Sequence, residues 1–93
     1  MKIEREENGK KGRFVIYEDS QFAGEMTYTQ AGEDKIIIDH TGVDKNFGGK
    51  GYGKKMVLEA VVFARANQLK ILPLCPFAKA EFDKNKDYQD VRF

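Results

Sequence analysis

Apolar positions along the chain recur first with a period of two and then with the wider spacing of a helix. The change falls at a run of glycines. Arg13 to Tyr17 (Arg-Phe-Val-Ile-Tyr) is β-branched and aromatic. Phe22 to Gln30 sets Phe22, Gly24, Met26 and Tyr28 on one face against Glu25, Thr27 and Thr29 on the other. Both read as strands. Glu18 to Gln21 between them is long enough only for a hairpin turn, so the two strands are antiparallel neighbours. After a turn at Ala31 to Asp34, Lys35 to Thr41 (Lys-Ile-Ile-Ile-Asp-His-Thr) is a third strand. Its period places Ile36, Ile38 and His40 on one face and Ile37, Asp39 and Thr41 on the other. From Gly51 to Asn67 the residues Met56, Val57, Ala60, Val61 and Ala64 form a helical stripe, widened by Leu58, Val62 and Phe63, with Asn67 as a left-handed terminator. Lys70 to Leu74 is a strand reached through that helix and so runs parallel to Lys35–Thr41. Pro73 cannot donate to a ladder, which puts this strand at an edge or splays it from its neighbour. Pro76 opens a short helix to about Asp83, with Cys75 at its amino end. Tyr88 to Phe93 closes the chain as a last turn or strand. Met1 to Gly12 is mostly charged or polar, ends in Asn8-Gly9-Lys10-Lys11-Gly12 and reads as a loosely ordered lead-in.

The 93 residues form one domain. Hydrophobic content of 41% with 33% charged residues excludes a disordered tail. A net charge of +1 lacks the basic excess of a nucleic-acid binder, although Lys45 to Lys55 is a local basic patch suited to a small phosphorylated ligand. The charged amino terminus has no apolar segment, so neither secretion nor a membrane anchor is expected. Cys75, the single cysteine, cannot form an intramolecular disulfide and suits a reducing, cytoplasmic compartment. With His40 the only histidine, no metal site of the usual zinc ligands is expected.

The glycine run carries the clearest chemistry. Gly48, Gly49, Gly51 and Gly53 fall just before and into the long helix, accompanied by Lys50, Lys54 and Lys55. A glycine-rich turn opening a helix leaves N–H groups pointing outward at the positive end of the dipole, which is a phosphate cradle. Two familiar nucleotide patterns are near misses. Gly48-x-x-x-x-Gly53-Lys54-Lys55 has lysine where a P-loop needs a magnesium-binding hydroxyl, and the dinucleotide spacing lacks its third glycine.

What the stretch Gly48-Gly49-Lys50-Gly51-Tyr52-Gly53 does resemble is the pyrophosphate loop of the GNAT superfamily of acetyl-CoA-dependent N-acyltransferases. That loop reads Arg/Gln-x-x-Gly-x-Gly/Ala at the start of the helix after a central strand; here Gly48 replaces Arg or Gln, and the N–H cradle is kept. More narrowly, Asp39-His40-Thr41-x-Val43, Leu74-Cys75-Pro76-Phe77-Ala78-Lys79 and Tyr88-Gln89-Asp90 together resemble a subfamily of very small GNAT-like proteins, over residues 13 to 91.

The resemblance implies an α/β (α+β) fold: an antiparallel meander, a main helix, a splayed parallel strand and a short carboxy-terminal helix. It implies acetyl-CoA as cosubstrate. Pantetheine would lie in the splay against Thr41, Gly42 and Val43, with Cys75 and Phe77 beside it. The pyrophosphate would sit on the loop of Gly48, Gly49, Lys50, Gly51, Tyr52, Gly53 and Lys54, with Lys50 and Lys54 neutralising charge and Tyr52 covering the loop. His40 would be the general base toward an amine acceptor, and Cys75 either lines the pocket or is first acetylated. Where the superfamily usually reads Asn-x-x-Ala-x-x-x-Tyr, with the tyrosine protonating the departing thiolate, this chain has Cys75 and Phe82. Between the first two strands the superfamily has two acceptor-binding helices, whereas here only Glu18 to Gln21 connects them. The acceptor is then a polypeptide amine or a small amine at an open site. A non-catalytic acetyl-CoA-binding or sensing module is the competing reading, and a small RNA- or nucleotide-binding domain rests on the lysine loop alone. No nucleic-acid or membrane partner is expected, and the protein is read as a monomer.

Overall fold

In the computed structural model, which describes all 93 residues, the strands are β1 (Lys2–Asn8), β2 (Lys11–Glu18), β3 (Gln21–Gln30), β4 (Lys35–Val43) and β5 (Lys70–Pro73). The helices are α1 (Tyr52–Asn67) and α2 (Pro76–Lys84), and 3₁₀ turns occupy Lys45–Phe47 and Lys86–Val91. The five strands lie in one sheet in chain order. β1 to β4 are antiparallel neighbours and β4 and β5 are parallel. The helix between β4 and β5 supplies the crossover that a parallel pair requires.

The meander thus has four strands, not the three the hydrophobic pattern predicts. The expected loose lead-in at Met1 to Gly12 is instead β1 and the start of β2, paired from Lys2↔Tyr17 to Asn8↔Lys11. Alternation is present in β1, but charged side chains occupy both sets. Ile3 packs on the core. The Arg5 guanidinium lies 4.3 Å from the Phe63 ring centroid and donates to the Tyr28 hydroxyl at 2.9 Å, and that hydroxyl donates to Glu7 at 2.8 Å. These groups satisfy the polar tip of a fully buried tyrosine, so charge here serves the packed face.

One face of the sheet packs on both helices through a core that includes Phe14, Ile16, Met26, Tyr28, Ile36, Ile38, Met56, Val57, Val61 and Phe82. Phe14, Tyr28 and Phe63 pack as tilted and edge-on rings. Leu58 and Val62 do not widen the buried stripe as expected; they are 47% and 50% exposed, because α1 buries only the narrower face through Met56, Val57, Ala60, Val61 and Ala64. The left-handed terminator is Gln68 (φ 56), one residue beyond Asn67, whose amide caps the Phe63 carbonyl at 2.9 Å. The opposite sheet face is covered by no helix and carries Glu6, Arg13, Glu25, Thr27 and Thr29, tied by Arg13–Glu6 and Arg13–Glu25 ion pairs of 2.9 Å.

β4 contains the irregularity that positions the site. Tyr28 opposes Ile38 but Thr27 opposes His40, so Asp39 is an extra residue in the ladder. A bulge of this kind shifts the alternation. Beyond it Thr41 and Val43 follow Ile36 and Ile38 toward the helices. Asp39 accepts from the Thr29 hydroxyl at 2.8 Å on the open face. His40 is exposed, and its Nε2 lies 3.1 Å from where a Cβ on Gly42 would stand. His40 therefore does not continue the apolar face of Ile36 and Ile38; it stands over Gly42 on the uncovered side.

Candidate functional site

The parallel ladder runs from Lys35↔Lys70 to Ile38↔Pro73 and stops. The Ile38 carbonyl then accepts from both the Leu74 and Cys75 N–H groups, at 3.2 and 3.1 Å. β4 continues to Val43 while β5 ends at Pro73 and its chain turns into α2, so the two strands diverge there. The proline sits on an edge strand, where its missing N–H costs the β4–β5 ladder no donor. The edge of β4 beyond the bulge is left without a strand partner on that side.

Past Val43, the Asp44 side chain accepts from the Asn46 N–H at 2.9 Å and starts the 3₁₀ turn. Phe47 stacks on Tyr52, with centroids 6.4 Å apart and planes at 24°. Gly49 (φ 79) and Gly51 (φ 74) take left-handed backbone, and Gly51 caps α1 with no side-chain hydrogen bond. The first helical bond is Lys55 N–H to the Gly51 carbonyl, at 3.1 Å. None of the N–H groups from Gly49 through Lys54 has a protein acceptor. They face a ligand or water at the positive end of a 16-residue helix. Gly53 serves a different need: a Cβ there would stand 2.7 Å from the Phe77 ring, so the residue lets α2 close over the start of α1.

These elements enclose a groove of about 370 Å³ lined by Thr41, Val43, Phe47, Gly48, Gly49, Gly51, Tyr52, Gly53, Lys54 and Phe77. It gathers most of the cofactor-binding set expected from the sequence. Gly42 alternates away from it, and neither Gly42 nor Cys75 is in its lining. Lys50 is absent from the lining because its ammonium pairs with both Glu18 carboxylate oxygens at 2.9 Å. Tyr52, 6% exposed, also donates its hydroxyl to Glu18. The partner network raises the Lys50 and Tyr52 pKa values and lowers that of Glu18, in each case chiefly through these hydrogen bonds. Phe47 and Glu18 escaped the sequence reading. Phe47 left a signal, one aromatic in a polar loop, whereas Glu18 left none.

Cys75 caps α2 beneath Thr41, with Sγ 3.3 Å from the Thr41 hydroxyl oxygen. It is 5% exposed. Burial is the largest single influence on the thiol and pushes its pKa up; the Thr41 hydroxyl and the N–H groups of Ala78 and Phe77 outweigh it, holding the thiol below its ordinary value. Because alternation sends His40 to the open face and Thr41 to the helix face, the structure does not bring His40 and Cys75 together; they flank β4 from opposite sides. Phe82 is fully buried, its ring edge-on to Tyr88 at 5.6 Å.

A family model described as GCN5-related N-acetyl-transferase matches residues 13–91. The chain belongs to the GCN5-related N-acetyltransferase family. Among solved structures, an NMR solution structure of a GCN5-like protein from Staphylococcus aureus is similar at 40% identity and TM-score 0.73, covering 97% of this chain and 87% of that one. The ribosomal-protein-alanine N-acetyltransferase of Brucella melitensis shares the fold at 15% identity and TM-score 0.71, over 83% of this chain and 61% of its own. Tetrahymena GCN5 does so at 18% identity and TM-score 0.67, over 83% of this chain and 51% of its own. Among curated proteins none matches by sequence. Within the N-acetyltransferase fold, the four-strand meander relocates one expectation. Counted from β1, the first connection is the turn at Gly9 and Lys10, and Glu18–Gln21 is the second; no helix precedes β4 in either.

Proposed function

We propose that the protein binds acetyl-CoA in the groove between β4, the glycine loop and α2 and transfers the acetyl group to a primary amine that arrives from the open sheet face. The observation that carries this is the run of unpartnered N–H groups from Gly49 through Lys54, at the mouth of a strand divergence. An anion nest beside an unpaired strand edge suits a ligand with a pyrophosphate at one end and an amide-bearing chain at the other. Lys54 is shared with an adjoining groove of about 370 Å³ that also holds Lys55, Lys84 and Tyr88. This cationic and aromatic lining suits the nucleotide end.

In the transfer, the amine nitrogen attacks the thioester carbonyl carbon, the C–S bond breaks, and the sulfur leaves as thiolate. His40, on the open face, takes the proton from the attacking nitrogen directly or through one water. Cys75 supplies a proton to the departing sulfur in place of the missing tyrosine, since a thiol held below its ordinary pKa is a stronger acid than a free thiol. Direct attack is favoured over an acetyl-Cys75 relay. An acetyl group on a sulfur 5% exposed on the helix side would be buried away from His40. The sensing-module reading keeps support from two observations: Phe82 occupies the usual acid position inside the core, and no acceptor helix precedes β4.

The test is a titration of ¹⁵N-labelled protein with CoA and acetyl-CoA, followed by addition of a pool of peptide and small amines with product mass as readout. We expect the Gly49–Lys54 amides to shift and an amine to gain one acetyl group. Silence of those amides at near-millimolar ligand rejects the reading. Shifts without transfer, or with the acetyl group stranded on Cys75, return it to the sensing module.

A further inference from the structure

Glu18 belongs to no motif in the sequence, yet it touches the glycine loop on both sides of its cap. It ends β2 at the hairpin into β3. The hairpin tip is Asp19 (φ 50) and Ser20 (φ 68), two consecutive left-handed residues of the kind a two-residue hairpin turn needs, so the end of β2 is held in one direction. From there the carboxylate reaches across 32 positions in sequence to Lys50, accepting at both oxygens at 2.9 Å, and across 34 positions to the Tyr52 hydroxyl. Lys50 and Tyr52 flank Gly51, the left-handed cap that has no side-chain cap of its own. The Lys50 ammonium also lies 5.5 Å from the Phe47 ring centroid, and Phe47 stacks on Tyr52. A loop with glycines at 48, 49, 51 and 53 has little intrinsic preference for one conformation. Here one carboxylate, one ammonium and two rings hold it in a conformation whose N–H groups from Gly49 through Lys54 have no protein acceptor.

We infer that Glu18 is a positioning residue for the anion cradle, and that Lys50 acts through Glu18 to hold the loop rather than by contacting phosphate; the inference rests on the proposed CoA-binding function of that groove. The loop is set before the ligand arrives, so binding does not have to order it. A different role for the same residues has the opposite sign. Were Lys50 a phosphate ligand held in reserve, Glu18 would compete with the phosphates and its removal would tighten binding.

The experiment compares CoA dissociation constants of the parent, Glu18→Gln, Lys50→Met and the double variant by amide titration and calorimetry, at two ionic strengths. Glu18→Gln keeps an acceptor for Tyr52 but loses the ion pair. We expect each single variant to weaken CoA binding by roughly tenfold and the double variant to be no worse than either single one, because both break the same contact. We also expect Lys50→Met to leave the salt dependence of binding unchanged, which a general loss of structure would not predict. Amide shifts outside residues 18–21 and 47–55 serve as the folding control. Binding by Glu18→Gln that equals or exceeds the parent, or a shallower salt dependence in Lys50→Met, overturns the inference while the CoA reading stands. Failure of the parent itself to bind CoA removes both.

Discussion

Cys75 and Gly53 are each governed by a few close neighbours. The Cys75 thiol is pulled upward in pKa by burial and downward by Thr41 and the first N–H groups of α2, and the hydrogen bonds prevail. Thr41→Val removes the foremost of the lowering influences. The pH at half-maximal alkylation of Cys75, followed by mass spectrometry with a small alkylating reagent, should therefore rise in that variant. The sign carries over to stability. A folded-state pKa below the unfolded value contributes in the alkaline range above the unfolded thiol pKa, and that contribution is lost as pH falls through the folded value. The parent's advantage over Thr41→Val should accordingly grow with rising pH across the alkaline range. For Gly53→Ala, the added methyl would stand 2.7 Å from the Phe77 ring, which is 38% exposed and free to swing outward. Removing a helical glycine offsets much of the lost packing, so stability should stay within about 1 kcal/mol of the parent. Phe77 lines the groove, so shifting its ring changes the groove wall, and CoA binding by amide titration should weaken several-fold. On the proposed reading Phe82 stands where an acid would be expected, and Phe82→Tyr probes it: a hydroxyl introduced at a fully buried ring without a partner costs about 1–3 kcal/mol. It should lower the urea midpoint without raising turnover.

At the level of elements, what was legible followed from local periodicity, and what was not depended on partners far along the chain. β2, β3, α1 and the start of β4 announce themselves because their apolar residues repeat at the spacing of the element. The glycine loop is legible because left-handed backbone at Gly49 and Gly51 and close approach at Gly53 all select glycine. The bulge at Asp39 left no trace, since one extra residue changes the face of every later side chain without changing composition. It is why a plain period of two puts His40 on the wrong face. β1 was hidden because Arg5 and Glu7, charged residues on its inner face, are there for the hydroxyl of Tyr28. The same ring fixes Gly12, where a Cβ would stand 2.4 Å from Tyr28 Cζ. Tyr28 is 1% exposed and bound at its tip, so it cannot yield. Gly12→Ala should therefore destabilise the protein by about 1–3 kcal/mol, as overpacking does. Urea denaturation is the check, and a near-neutral result would mean that the β1–β2 hairpin is not closed over Tyr28.

For the molecule as a whole, the decisive feature is that only one face of the sheet is covered. Both helices lie on the side of Ile36, Ile38 and Thr41, and they build the groove there. The opposite face holds His40 and Asp39 at the strand divergence, beside a broad depression of about 580 Å³ lined by Glu6, Lys11, Arg13, Thr27 and Asp39 among others. On the proposed reading, cosubstrate and acceptor reach β4 from opposite sides and meet where it parts from β5, which makes their binding separable by mutation. Thr27 pairs directly with His40 across β3 and β4 and points to the open face. Thr27→Arg should obstruct the approach of an amine while leaving the groove and the N–H cradle intact. We expect the acceptor KM to rise at least tenfold, with the CoA dissociation constant within twofold of the parent. His40→Gln should instead lower kcat, with CoA affinity again unchanged, because on that reading it removes the proton acceptor while His40 itself does not line the groove. If Thr27→Arg weakens CoA binding as much as it weakens turnover, the two ligands share one side of the sheet. The bulge at Asp39 would then orient the strand edge for the cosubstrate without separating it from the acceptor.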